Sequence, residues 1–204
     1  MAAESSIEIN RIARSSAPTD TVALARWLLG KVLVRSYRGK QISGRIVETE
    51  AYLQHDPACH GVRGITPRTR SLFLDRGHAY VYLCYGTSYM LNMSSESQGI
   101  GTGVLLRALE PLQGMEFMAR GRGHVRAADL ARGPGRLTAA LGVNLRHDGL
   151  DLFRGRQLWI GSDAHRVAAI GQSVRIGLTK AADERLRYFV AGSPYLSGAK
   201  HLNR

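Results

Sequence analysis

Cysteine is rare in this 204-residue chain. Only Cys59 and Cys84 occur, and neither belongs to a CxxC or Cys/His spacing that builds a zinc site. Long apolar runs are missing too: nothing approaches the ~18 consecutive apolar residues of a membrane helix. The opening MAAESSIEIN has neither the basic start nor the apolar centre of a secretion signal. These absences argue against a disulfide framework, a structural metal, secretion and membrane spanning. They leave a reduced, intracellular protein as the expectation, cytoplasmic or nucleoid-associated in a bacterial cell, with no cofactor. Acidic side chains are also few, at 16 against 28 basic ones, and lysine supplies only four of the latter.

What remains is a net charge of +12 carried by 24 arginines. Such a surplus points to a polyanionic partner, and the forked guanidinium suits phosphate better than mere solubility requires. Hydrophobic content of 44% and charged content of 22% exclude a mainly disordered or fibrous chain. The length fits one compact domain with a sizeable core.

Residues 1–17 have little pattern and read as a loose arm, with residues 18–204 as the domain. Asp20 or Thr19 is placed to cap a helix through VALARWLL, which Gly30 ends. KVLVRSY and QISGRIVETEAYL around RGK form the pattern of a long hairpin, and residues 54–78 follow as a long loop. HAYVYLCYG, SYMLNMSS and GVLLRAL then predict a meander of strands. Pro111 and Pro134 mark two helix starts, and RQLWIG, SVRIG and RLRYFVAG predict three more short strands. The fold class expected is α+β, a single domain with a curved antiparallel sheet flanked by helices.

Two carboxylates stand out in RIVETEAYL (residues 45–53). Strand alternation puts Ile46, Glu48, Glu50 and Tyr52 on one face. Acids on a strand face serve as solvated or arginine-bridged groups as readily as catalytic ones. Here, however, His60 and the tyrosines Tyr80, Tyr82 and Tyr85 follow in the next segments. Flat aromatic faces beside a carboxylate suit a planar ring that stacks while a bond to it is cut, although a tyrosine cluster also fills cores.

The run RIVETEAYL, the AxH at residues 58–60, TPRTRSLF, AYVYLCYG, LNMSS and VLLRALEPLQG together resemble the alkyladenine or 3-methyladenine DNA glycosylase family, in order and over roughly residues 20 to 190. The resemblance implies a monofunctional glycosylase of base excision repair. Such an enzyme flips alkylated or deaminated purines (3-methyladenine, 7-methylguanine, hypoxanthine, ethenoadenine) out of damaged double-stranded DNA and hydrolyses the N-glycosidic bond. By position, Glu50 matches the general base that activates water, and Arg107 an arginine beside it. Tyr52 and Tyr82 match the stacking tyrosines, His60 the pocket histidine, and Asn92 the residue that crowds the 2-amino group of guanine. Tyr85 matches the side chain inserted into the minor groove. Glu48 carries no family role. Arg68 and Arg70 are candidate phosphate contacts, and the start of a helix at Gly133-Pro134-Gly135 either faces a phosphate or is a plain helix start.

None of the four lysines, Lys31, Lys40, Lys180 and Lys200, adjoins these motifs, so water is preferred to a Schiff-base nucleophile. A monomer without metal or membrane is expected. Two other classes compete: a non-catalytic nucleic-acid-binding module that stacks bases, and a carbohydrate hydrolase using Glu48 and Glu50 as its acid pair. A binder has no use for a carboxylate beside phosphate, and a neutral sugar does not explain +12.

Overall fold

Asp20 opens the first helix by accepting a hydrogen bond from Ala23 N at 2.7 Å, satisfying one free amide of the first turn. The helix, α1 (Thr21–Trp27), buries Leu24 and Ala25, and Gly30 turns the chain away with φ +83°. The computed structural model describes residues 7–122 and 126–204. Its strands are β1 (Asn10–Arg11), β2 (Val32–Tyr37), β3 (Lys40–Tyr52), β4 (Ala79–Cys84), β5 (Ser88–Ser94), β6 (Gly103–Gln113), β7 (Leu158–Ser162), β8 (Ile170–Ser173) and β9 (Arg187–Val190). Two further helices are α2 (Met115–Arg122) and α3 (Pro134–Leu141).

All the strands join one antiparallel sheet in the order β1-β7-β2-β3-β6-β5-β4, with β9 pairing β3 and β8 pairing β9. The fold is therefore α+β. One sheet face carries the main core, where Leu24 and Leu28, Met118, and Leu137, Ala140 and Leu141 meet Val81, Leu91, Met93, Val104 and Leu106. Alternation sends the intervening residues of β4, β5 and β6 to the opposite face, which holds the candidate site.

β3 spans the sheet and bends in the middle. Its first half pairs with β2 through Arg45, and from Glu48 that edge passes to β9. The register with β6 slips at the same place, leaving Val47 on β3 and Arg107 on β6 without direct partners. This doubled bulge breaks the alternation expected from the sequence. Ile46 joins the main core with Ala51, while Val47 packs with Ala108, Phe189 and Leu196 in a small cluster of its own. Ile46 therefore does not share a face with Glu48, Glu50 and Tyr52. Nor is either face solvated, since both acids are fully buried.

Three boundaries differ from the sequence reading. Pro111 does not start a helix; it lies opposite Gly44 in β6, and α2 begins after Gly114, whose φ of +72° makes the turn. SVRIG is not a strand: β8 ends at Ser173, and Arg175 and Ile176 leave the sheet to hold groups of the site. The long loop contains two single-turn 3-10 segments, His60–Arg63 and Arg70–Phe73. Of the expected arm, residues 1–6 lie outside the described residues. Asn10 and Arg11 pair with β7, and Arg14 reaches Asp151 at 2.7 Å and Asp75 at 3.4 Å.

Candidate active site

The register of the sheet lines up Tyr80, Asn92, Leu105, Glu50, Arg187 and Ser173 as successive partners across six strands. Directly paired residues share a sheet face, so this row brings β4, β5, β3 and β9 side chains together with no loop as intermediary. Tyr52 lies beside the row, opposite Gly103, where a Cβ would lie 2.8 Å from Leu72 Cδ1 and 2.9 Å from Met93 O.

Glu50 is held from three directions. Its Oε2 accepts the Tyr52 hydroxyl at 2.9 Å, and its Oε1 accepts Ile176 N at 2.8 Å and lies 3.1 Å from Arg107 Nη1. Oε2, with a single donor, keeps acceptor capacity for a further one such as water. Arg107 is itself nearly buried. Burial opposes its charge, but Glu50 and Glu48 outweigh that and hold the guanidinium pKa above its ordinary value.

Glu48 is the hub of a second network. Its Oε1 accepts Arg107 Nε at 2.8 Å, Arg187 Nε at 2.7 Å and Ser197 Oγ at 2.8 Å, and its Oε2 accepts Ser197 N at 2.6 Å. Burial pushes the Glu48 carboxyl up, yet Arg107, Arg187 and the Ser197 amide together hold its pKa below the usual value. Arg107 thus bridges the two acids of ETE, with Nε on one and Nη1 on the other. Because every donor around it is fixed, Glu48 is not available as the second carboxylate of a sugar hydrolase.

Beyond Tyr52 lies a cavity of about 80 Å³ lined by Tyr52, Cys59, His60, Tyr80, Tyr82 and Asn92, among others. It is narrower than the ~300 Å³ and more of most ligand sites. The His60 and Tyr82 rings stand edge to face, 4.7 Å apart. His60 Nδ1 pairs with the Tyr80 hydroxyl at 2.8 Å, so Tyr80, buried as a core residue would be, also fixes the imidazole. Burial, then the charges of Arg68 and Arg63, lower the His60 pKa and keep the ring neutral at pH 7. Burial likewise raises the Tyr52 and Tyr82 hydroxyl pKa values, so both rings stay uncharged. Asn92 is held by its own Nδ2, which donates to Tyr80 O at 3.2 Å. Glu50 does not line the cavity; it sits behind Tyr52, one hydrogen bond from the ring that does.

Tyr85 occupies the turn between β4 and β5, 92% exposed with φ +49°, and Gly86 follows at φ +70°. Thr87 N closes the turn on Cys84 O at 3.1 Å. The structure therefore aims an aromatic ring straight into solvent, three residues beyond Tyr82. Arg68 and Arg70 are both exposed, and the Arg68 guanidinium lies 5.2 Å from the Tyr82 ring centroid. Gly133 bears φ +130° ahead of α3.

Arg175, Arg187, Ser197 and Asp56 belong to the site but were not singled out in the sequence. Arg175 ion-pairs with Asp56, donates to Ala51 O at 3.0 Å and lies 4.7 Å from the Tyr52 ring centroid, bracing that ring from one side. The signal was present: Arg175 and Arg187 sit in strand-like apolar surroundings, as Arg107 does in LLRAL, and a cation so placed needs a buried acid. Among the described residues no three His, Cys, Asp or Glu side chains converge as a metal site would require, and no helix is long and apolar enough to cross a membrane.

The family model of methylpurine-DNA glycosylase matches residues 15–194. A protein of Mesorhizobium japonicum is 61% identical over 94% of this chain and 92% of its own length. Another, of Paraburkholderia phytofirmans, is 49% identical over 93% and 89%. A third, of Chlorobaculum tepidum, is 45% identical over 87% and 86%. All three carry the provisional name 3-methyladenine DNA glycosylase. With the family model covering most of the chain and the relatives aligned along nearly its whole length, the chain belongs to the methylpurine-DNA glycosylase family of DNA-repair hydrolases.

Proposed function

We propose that residues 18–204 form a monofunctional glycosylase that releases alkylated or deaminated purines, among them 3-methyladenine, 7-methylguanine, hypoxanthine and ethenoadenine, from damaged double-stranded DNA and leaves an abasic site. The observation that carries this reading is Glu50: a fully buried carboxylate, fixed by Tyr52, Ile176 N and Arg107, directly behind a slot walled by aromatic rings.

The chemistry follows from that placement. A flipped base stacks against Tyr52 and Tyr82, where a cationic purine gains about 1–2 kcal/mol from the electron-rich rings. Its sugar then lies toward Glu50. As the bond from C1′ to the base nitrogen breaks, positive charge grows on the sugar, and the carboxylate stabilises it while taking a proton from the attacking water. Arg107 orients Glu50 and is a partner for the adjacent backbone. Neutral His60, with Nδ1 held by Tyr80, offers its other nitrogen and its backbone to the base edge. Asn92, fixed on Tyr80 O, narrows the slot against the guanine 2-amino group. Tyr85 fills the gap in the stack, and Arg68 and Arg70 meet phosphate. None of the four lysines lines the cavity, which supports water as the nucleophile. The enzyme acts inside the cell as a monomer, without metal or cofactor.

The test is incubation with duplex oligonucleotides carrying hypoxanthine, ethenoadenine or 3-methyladenine. Free base and an abasic strand that breaks only after alkali are expected. Release from none of the three would end the reading, and breakage without alkali would replace the hydrolase by a lyase.

A further inference from the structure

Large apolar side chains left in solvent are unevenly placed on this protein. Among the described residues seven are exposed, and four of them, Val62, Ile65, Leu83 and Tyr85, lie on the two chain segments that wall the base slot. Tyr85 already has a part in the proposed function. Ile65, 67% exposed, and Val62, 50% exposed, have none.

Their segment leaves the slot at His60 and returns to it at Arg68, over the Tyr82 ring. Between those points the backbone is pinned. Gly64 N donates to Gly61 O at 2.9 Å, Thr69 Oγ1 donates to Gly64 O at 3.0 Å, and Arg70 N donates to Thr66 O at 3.0 Å. Gly61 is pressed so closely on Gly101 that a Cβ there would lie 1.8 Å from Gly101 O. The tip is thus held out by a rigid frame, and exposed Arg63, Arg68 and Arg70 flank it. Cations beside a fixed apolar tip match a surface that alternates phosphate with sugar and base edges, and a pre-ordered loop loses little entropy on contact.

We propose that Ile65, with Val62 beside it, is a second apolar contact with the duplex, entering the minor groove from the 60–70 segment while Tyr85 enters from the β4–β5 turn. The inference rests on duplex DNA as the substrate of the proposed function, not on the excision step. Part of the grip on DNA is then independent of salt.

Fluorescence anisotropy with a hypoxanthine-containing duplex and an undamaged duplex of the same sequence, over a salt series, tests it. Ile65→Ser, and the double variant Val62→Ser/Ile65→Ser, should weaken binding about tenfold at every salt concentration with the log–log slope unchanged. Ile65→Leu should bind like the wild type. Arg68→Ala and Arg70→Ala should instead lower the slope by about one each. Thermal unfolding confirms that each variant is folded. Affinity of the folded double variant within about twofold of wild type, or a loss that appears as a changed slope, overturns the inference. Wild-type protein that binds the duplex yet excises nothing removes the glycosylase reading alone, while the Ile65 contact stands if Ile65→Ser loses affinity. Wild type that binds neither duplex overturns both.

Discussion

Glu48 and Glu50 are identical residues two positions apart, both fully buried, and their partners give them different work. Glu48 has its oxygens saturated by two arginines and Ser197, whereas Glu50 receives three donors and keeps room for one more. Glu50→Gln should therefore cut single-turnover excision by about 10²–10⁴-fold, the usual range for a general base, with lesion binding largely kept. Glu48→Gln should act through stability. It leaves Arg107 and Arg187 without their shared anion, and denaturant unfolding should show a loss of about 3–5 kcal/mol. Equal loss of activity in both variants, with both folded, would contradict the division of roles. The pH dependence has a definite sign. Because the folded Glu48 carboxyl titrates below its unfolded counterpart, its contribution is complete above the ordinary glutamate pKa of about 4.3 and fades as pH falls through the lower folded value. The stability gap between wild type and Glu48→Gln should thus be constant near neutrality and shrink in acid.

At the level of elements, the sheet presents the site on one face, and a few close backbone approaches shape it. Gly61 against Gly101 is the tightest of those at the slot. Gly61→Ala has to push the 60–70 segment away, displacing His60 from Tyr80 and lifting Ile65. Excision should fall by an order of magnitude or more while the circular dichroism of the sheet stays native; full activity in the folded variant would show that the segment's position does not matter. Much of this level was legible. Asp20 capped the helix it was expected to cap, and the strands of the meander lie where aromatic and β-branched residues cluster. The bulge at Val47 was not legible, because an alternating pattern contains no mark of the residue that breaks it; only handing one edge of β3 from β2 to β9 requires the break. Arg175 and Ile176 read as strand for the same reason, since their apolar surroundings reflect burial around Glu50 and Asp56 instead of a ladder. Within ETE, the pattern alone could not say which acid stands behind the slot.

For the whole molecule, the charge of +12 can be located. Among the described residues five arginines are buried, Arg35, Arg45, Arg107, Arg175 and Arg187, and five carboxylates, Glu48, Glu50, Asp56, Glu110 and Asp163, form ion pairs with four of them. Of those carboxylates only Glu48, Glu50 and Asp56 are themselves buried, so the interior offsets most of its own charge and the bulk of the surplus of 12 is carried outside it. Charge of that kind neutralises phosphate and releases counterions, each adding about −0.9 to the slope of log affinity against log salt. A footprint of about four phosphates then predicts roughly 100-fold weaker duplex binding between ~50 and ~200 mM salt. The loss should be the same for damaged and undamaged duplex, because the slot and the apolar tips carry lesion preference and phosphate carries none. A flat salt response would mean that the arginines face something other than DNA backbone. A slope that differed between the two duplexes would mean that flipping the base brings further phosphates into contact, and would assign part of the lesion preference to charge.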